Sequence, residues 1–146
     1  MNSDLGTTVP ARSTPLLSWS FDLNYSRPPS GLSANDRTHY QVKARSTAQI
    51  RDYVVWRCRY LKVPALRKIS VDVEWVVNTE HRRDTDNVAP LLKAIYDGIG
   101  ADKGTSAHIV IDDAPQYMEK PAATIRVAKD ERARFVVTIT DLGATK

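Results

Sequence analysis

Apolar and polar residues alternate along two long stretches of the chain, and this alternation is typical of half-buried β-strands. The first stretch covers residues 17–24, and the second and clearer one covers residues 69–77. Three shorter apolar stretches are also predicted as strands, over residues 108–111, 124–127 and 135–141. The chain is therefore expected to form at least five strands.

Between the strands, apolar residues recur with the spacing of a helix, first over residues 46–61 and then over residues 88–99. Asn87 is predicted to be the N-cap of the second helix, and Gly98 and Gly100 are predicted to end it. The resulting order is β-α-β-α-β-β-β. It predicts an α+β fold of one domain, in which two main helices pack on one face of a mixed β-sheet.

The composition is that of a soluble globular protein. The chain has 146 residues, of which 42% are hydrophobic and 26% are charged, and no apolar run is long enough to cross a bilayer. Residues 1–15 do not resemble a signal peptide and are expected to form a flexible arm, with residues 16–146 as the folded domain. The lone cysteine, Cys58, excludes an internal disulfide, so a reducing cytoplasm is the expected compartment.

The net charge of +4 is unevenly distributed. Residues 37–68 contain nine lysines and arginines and a single acid, Asp52. Such a surface attracts phosphate backbones, although a solvated cationic face explains it equally well on its own. The cations expected on the outer side of the first helix, where they would contact DNA, are Arg51, Arg59 and Lys62.

Two pairs of acids follow predicted strands. Asp84 and Asp86 precede the second helix, and in an extended linker their side chains would point the same way, with Cα atoms roughly 7 Å apart. Asp112 and Asp113 follow residues 108–111 and could be brought to the same point by the fold. Carboxylate oxygens in this arrangement suit Mg²⁺, which keeps several waters and takes further oxygens from a substrate phosphate.

An Asp-x-Asp sequence alone is more often a turn with a capping side chain than a metal site. Two neighbouring features favour the metal site here. Arg82 and Arg83 directly precede the acids, as expected where a phosphate must approach carboxylates, and the positive end of a helix follows them.

The acids belong to a longer ordered set of motifs. These are Arg-Arg-Asp-Thr-Asp-Asn at 82–87, Leu-Lys-Ala-Ile-Tyr-Asp-Gly-Ile at 92–99, Val-Ile-Asp-Asp at 110–113, and Pro-Pro-Ser at 28–30 with Asn35 beyond it. Together they resemble the RusA family of crossover (Holliday) junction endodeoxyribonucleases, and the resemblance covers about residues 17–141.

The resemblance implies a RusA-like fold and a set of site residues. Asp84 and Asp86 match the paired catalytic acids and metal ligands, Asp113 matches the third acid, and Asp112 stands beside it as a further candidate ligand. Lys93 matches the catalytic lysine, although three extra residues separate it from the acidic motif. Three helical residues shift a side chain by roughly 4.5 Å along the helix axis.

The resemblance also implies a function. A homodimer would resolve four-way DNA junctions by paired nicks, with Mg²⁺ as cofactor and Mn²⁺ as a substitute, in a bacterial or phage-infected bacterial cell and without a membrane partner. Arg82 and Arg83 would contact the DNA backbone. Lys120 is a reserve candidate for the same role, and an exposed loop lysine is the simpler interpretation of it.

One alternative is a basic DNA-binding protein without catalysis, whose acids serve only as structural caps. Asp97 is expected to be a solvated helix residue. His81 and His108 have no companions at the spacing of zinc ligands, so a zinc site is not expected.

Overall fold

The alternating stretches form one mixed β-sheet, and the two helices cover one of its faces. A computed structural model describes residues 16–37 and 39–143. The strands are β1 (Ser18–Leu23), β2 (Ile69–Val77), β3 (Met118–Glu119), β4 (Thr124–Val127) and β5 (Arg134–Asp141). The helices are α1 (Tyr40–Tyr60) and α2 (Ala89–Gly100), and a short 3-10 helix (Thr85–Val88) leads into α2.

The longest strands lie at the centre of the sheet. β5 pairs antiparallel with β1 on one side, with Ser18 opposite Thr140, and antiparallel with β2 on the other. β3 and β4 both pair parallel with β2, β3 near its start and β4 near its end. Together β3 and β4 form one edge of the sheet, which is interrupted at residues 120–123.

The core lies between this sheet and the two helices. Every second residue of β2 is buried, because alternate side chains of a strand point to the same face. The helices contribute residues at the spacing predicted from the sequence. The buried core residues include Ile50, Val54 and Cys58 of α1, Val71, Val73 and Trp75 of β2, Leu91, Ile95 and Ile99 of α2, and Phe135, Val137 and Ile139 of β5. The predicted α+β fold, with a mixed sheet and two helices, is confirmed.

Gly98 lies inside the last turn of α2, whereas Gly100 ends the helix as predicted. A Cβ atom on Gly98 would lie 2.9 Å from Cβ of Val54 and 3.2 Å from Cα of Arg51. Gly98 is therefore needed for the close approach of α1 to α2, and the prediction that it ends the helix is wrong.

The prediction of a strand at residues 108–111 is also wrong, because these residues form a loop. His108 has a positive φ of 53°, and the chain pairs with the end of α2 instead of the sheet. The backbone N–H of Ile109 donates to the carbonyl of Ile99 at 2.9 Å, and its carbonyl accepts from Leu66 at 2.7 Å. Ile109 and Val110 are buried in the core, whereas Ile111 is 70% exposed. The third strand in chain order is therefore β3.

The first helix begins earlier than predicted, at Tyr40, where the His39 ring accepts a hydrogen bond from the N–H of Gln41 at 3.1 Å. Neither helix in the described part of the chain combines the length and apolar composition needed to cross a membrane. The predicted arm, residues 1–15, lies outside the described residues.

Candidate active site

Asp84 and Asp86 lie where the loop after β2 turns into the 3-10 helix. Asp84 has extended backbone angles, φ −116° and ψ 122°, and its Oδ1 accepts a hydrogen bond from the N–H of Asp86 at 2.9 Å. Asp84 is the N-cap of the 3-10 helix, because its carboxylate accepts the free N–H of Asp86. The N-cap of α2 is Val88, so the prediction of Asn87 as its N-cap is wrong. The linker is helical from Thr85 onward instead of extended, and both carboxylates are exposed.

Asn87 connects this acidic segment to the loop after β1. Its Oδ1 accepts a hydrogen bond from Nδ2 of Asn35 at 2.9 Å, and its backbone carbonyl accepts from the N–H of Ala34 at 2.8 Å. A cleft of about 400 Å³ lies here, with Pro28 and Ser30 in its wall. Two motifs that are more than fifty residues apart in the sequence thus meet next to the acids.

About two turns beyond Asp86, Lys93 of α2 contacts Asp113. Nζ of Lys93 lies 3.1 Å from Oδ1 of Asp97 and 3.3 Å from Oδ2 of Asp113. Nζ of Lys120 binds the same Oδ2 of Asp113 at 3.2 Å and lies 5.1 Å from the ring centroid of Tyr96. Lys93, Lys120, Asp97 and Asp113 are called the lysine–aspartate cluster below. The three extra residues therefore do not prevent Lys93 from reaching Asp113.

In the lysine–aspartate cluster, the pKa values of Lys93 and Asp113 are shifted toward their charged forms. The hydrogen bond to Asp97 raises the pKa of Lys93, and Asp113 adds to the effect. Partial burial favours a higher pKa for Asp113, but the hydrogen bonds from Lys120 and Lys93 outweigh burial, and the pKa of Asp113 is lowered. One ionised carboxylate is thus shared by two ammonium groups, which leaves their remaining donors for an anion.

Asp97 is not the solvated residue that the sequence predicted. Its side chain is only 14% exposed, and its Oδ2 lies 3.8 Å from Nη1 of Arg51. The spacing of Lys93 and Asp97, four residues apart on a helix, is the signal that could have revealed this pair. The contact of Tyr96 with Lys120 has no comparable signal, because it depends on the path of the loop after α2.

Asp86 and Lys93 are seven residues apart along the continuous helical segment. Seven residues make about two turns and about 11 Å of rise, so the two side chains lie on the same side of the segment.

A magnesium site can be tested against these positions. Within residues 16–37 and 39–143, no group of three or more His, Cys, Asp or Glu side chains is arranged to hold a metal ion. Asp113 is bound to two lysines, and Oδ1 of Asp112 accepts the N–H of Asp113 at 2.8 Å. Asp84 and Asp86 remain as two exposed carboxylates, which fit a site that Mg²⁺ completes with water and phosphate oxygens. The three-acid site, and Asp112 as a further ligand, stay predictions.

The two arginines before the acids differ in their surroundings. Nη1 of Arg83 donates to the carbonyls of Thr79 and His81 at 2.9 and 3.1 Å, and its guanidinium lies 5.7 Å from the Trp75 ring centroid. Arg83 thus holds its own loop, whereas Arg82 is exposed. Both line a cleft of about 440 Å³.

Arg51 faces α2 and the following loop, so its expected place on the outer side of α1 is wrong. Its Nε donates to the carbonyl of Thr105 at 2.8 Å, and its Nη2 donates to that of Lys103 at 2.9 Å. Arg59 and Lys62 are exposed, as predicted. Their contact with DNA, like that of Arg82, Arg83 and Lys120, stays a prediction.

No protein-family model matches this chain, and no curated protein is significantly similar to it in sequence.

Proposed function

We propose that this chain is a magnesium-dependent endodeoxyribonuclease that acts on branched DNA in the manner of the RusA family. The observation that supports the proposal most is the contact of Lys93 with Asp113 at 3.3 Å. These residues match the lysine and the third acid of the family motifs, and they are twenty residues apart in the sequence. Lys93 projects from the helical segment that Asp84 and Asp86 introduce.

Hydrolysis of a phosphodiester requires an activated water and neutralisation of the charge that grows on the phosphoryl oxygens. A magnesium ion held by Asp84, Asp86 and phosphate oxygens would lower the pKa of a bound water and shield the phosphate. Lys93 and Lys120 have ammonium donors that can orient a non-bridging phosphate oxygen. In this arrangement Asp113 positions both lysines, and its predicted role as a third metal ligand would apply only when DNA is bound.

The proposed substrate is a four-way junction. Because such a junction has nearly twofold symmetry, a C2 homodimer would present one site to each of two opposed strands. The exposed Arg82, together with Arg59 and Lys62, would contact the phosphate backbone without reading the base sequence. The homodimer rests on the family resemblance, and the cytoplasmic location rests on the lone cysteine, Cys58.

A second candidate is a DNA-binding protein without catalysis, and one observation favours it. The acids of the proposed site already have structural partners: Asp84 caps the 3-10 helix and Asp113 binds two lysines. In that case the acids stabilise the fold, and only the cationic surface acts on DNA.

The test compares a synthetic four-way junction with a linear duplex of the same sequence, each with Mg²⁺, with Mn²⁺ or with a chelator. We expect paired, symmetric nicks in the junction alone, and only when a divalent cation is present. Asp84→Asn is the informative variant, since its amide oxygen can still accept the N–H of Asp86 while the charge is lost. Asp52→Asn, at an exposed acid on the outer side of α1, is the matched control.

Asp84→Asn and Asp86→Asn should bind the junction at least as tightly as the unaltered chain, because repulsion of the phosphate is reduced. Neither variant should cut the junction, because each lacks one proposed ligand of the magnesium ion. Asp52→Asn should cut normally. If Asp84→Asn cuts at the normal rate, the catalytic proposal is wrong. If the unaltered chain binds junctions but cuts none with any divalent cation, the second candidate is correct.

A further inference from the structure

The outer side of α1 carries two large aromatic residues that the core does not use. Trp56 is 56% exposed and Tyr60 is 67% exposed, and their rings stack with centroids 5.6 Å apart and an interplanar angle of 24°. At 100° per residue, Trp56 lies almost opposite the buried stripe that contains Val54 and Cys58. A tryptophan that is mostly exposed on the outer side of a helix contributes little to folding and is typical of a binding surface.

Arg57 adds a cation to this pair of rings. Its Cζ lies 5.6 Å from the Trp56 ring centroid and 5.5 Å from that of Tyr60. In the part of the chain that the structure describes, no acid forms an ion pair with Arg57, and its Nε is buried without a hydrogen-bond partner. Trp56, Arg57 and Tyr60 are called the aromatic platform below. The Arg57 guanidinium thus contacts ring faces instead of a carboxylate.

We propose that the aromatic platform binds unpaired bases of single-stranded DNA. Every base has a ring face that can stack on Trp or Tyr, and arginine contributes to such contacts through its planar cation. Arg59, one turn from Trp56, and Lys62 are exposed cations beside the platform, where they can bind the phosphates of the same strand. The choice of DNA over RNA rests on the proposed function, whose substrate is DNA.

The charge of this surface also argues against a second copy of the chain as the occupant. In a twofold contact the same patch of both copies meets, so Arg57 and Arg59 would face their own copies. Like charges brought together at an interface oppose association. A single strand of DNA can stack its bases on the rings and place its phosphates beside the cations.

The experiment titrates the full chain with oligo-dT of about 15 nucleotides, within the site size of single-strand binders. An abasic oligomer of the same length and an oligo-U serve as comparison ligands. Tryptophan emission and the anisotropy of a labelled oligomer are followed. We expect oligo-dT to quench the emission, and Trp56→Ala to weaken its binding by about tenfold or more without changing binding of the abasic oligomer.

Two variants make this result specific. Trp56→Phe keeps an aromatic ring and should restore most of the affinity while removing the quenching. Tyr40→Ala, at an exposed aromatic residue of α1 that stacks on His39 outside the platform, should bind like the unaltered chain. Trp56→Ala should also unfold near the normal temperature, since the ring is mostly exposed.

The proposal is overturned if Trp56→Ala binds oligo-dT normally, if the abasic oligomer quenches equally, or if oligo-U binds more tightly than oligo-dT. It is also overturned if the unaltered chain self-associates and Trp56→Ala does not. These outcomes are separate from cleavage. Asp84→Asn should bind oligo-dT normally. If the unaltered chain cuts no DNA but shows the Trp56-dependent quenching, the nuclease proposal is wrong and the proposal for the aromatic platform is retained.

Discussion

Replacing Asp113 by Asn tests whether this carboxylate holds the lysine–aspartate cluster together. Lys93 and Lys120 bind the same oxygen at 3.3 and 3.2 Å, so their ammonium groups are no more than about 6.5 Å apart. The substitution keeps an oxygen acceptor but removes the charge that screens one ammonium from the other. The variant should therefore be less stable, mainly through repulsion between the two lysines.

The size of this effect follows from the exposure of the two lysines. Two unit charges about 6.5 Å apart repel by roughly 0.6 kcal/mol in bulk water and by roughly 2.5 kcal/mol at an effective dielectric constant of about 20. The side chain of Lys93 is 65% exposed and that of Lys120 is 30% exposed, so solvent screens much of the interaction. We expect Asp113→Asn to lower the free energy of unfolding by about 1–2 kcal/mol at neutral pH.

The pH dependence supplies a second measurement. Because the pKa of Asp113 is lowered in the folded chain, its contribution is complete above the pKa of an unfolded aspartate, about 3.9, and is lost as the pH falls through the lowered value. The difference between the unaltered chain and Asp113→Asn should therefore shrink below about pH 4. The pKa of Lys93 is raised, so its contribution persists to alkaline pH and is lost only above about pH 10.4.

The assay is urea denaturation followed by tryptophan fluorescence, with Lys93→Met, Lys120→Met and their combinations with Asp113→Asn as double-mutant cycles. Each cycle should give a coupling free energy of about 0.5–1 kcal/mol. Equal stability of Asp113→Asn and the unaltered chain at neutral pH, together with no coupling in either cycle, would refute the reasoning.

Three further predictions concern stability and metal binding. Lys62 has a φ of 59° in the left-handed region, so Lys62→Gly should raise the free energy of unfolding by about 0.5–1 kcal/mol in urea denaturation; unchanged stability would contradict the strain. Gly98→Ala should lower it by about 1–2 kcal/mol, since crowding against Val54 at 2.9 Å exceeds the gain in helix propensity, and a more stable variant would show that α1 can move away. Magnesium binding is measured by titration calorimetry without DNA. Asp84→Asn should abolish Mg²⁺ binding, whereas Asp113→Asn should leave it unchanged, because two lysines already neutralise Asp113. An effect of Asp113→Asn equal to that of Asp84→Asn would favour the three-acid site.

The order of strands and helices follows from the sequence because it depends on local period. Residues 69–77 bury every second side chain, and α1 buries its apolar stripe, as the patterns predict. The same patterns misplace the strand at residues 108–111. Only Ile109 and Val110 of this run are buried, and a short apolar run does not show whether its backbone pairs with a strand or, as for Ile109, with the end of a helix.

The candidate site was less accessible to prediction. The motifs identify Asp84, Lys93 and Asp113, but the partners of these residues depend on tertiary contacts. Arg51 illustrates the difficulty: helical spacing does not show that a loop more than fifty residues later contacts it with two carbonyl groups. Likewise, an Asp-x-Asp sequence is compatible with a metal ligand and with an N-cap, and Asp84 has the geometry of the cap.

The break between β3 and β4 has a consequence for how the chain behaves in concentrated solution. An uninterrupted outer strand offers a row of free N–H and C=O groups on which another chain can add a strand and begin to aggregate. Here the break includes Pro121, which has no N–H to donate, and the two outer strands are only two and four residues long. Because Lys120 lies in this break and not in a strand, its side chain can reach Asp113. The segment that contributes a lysine to the candidate site therefore also protects this edge of the sheet from fibril growth.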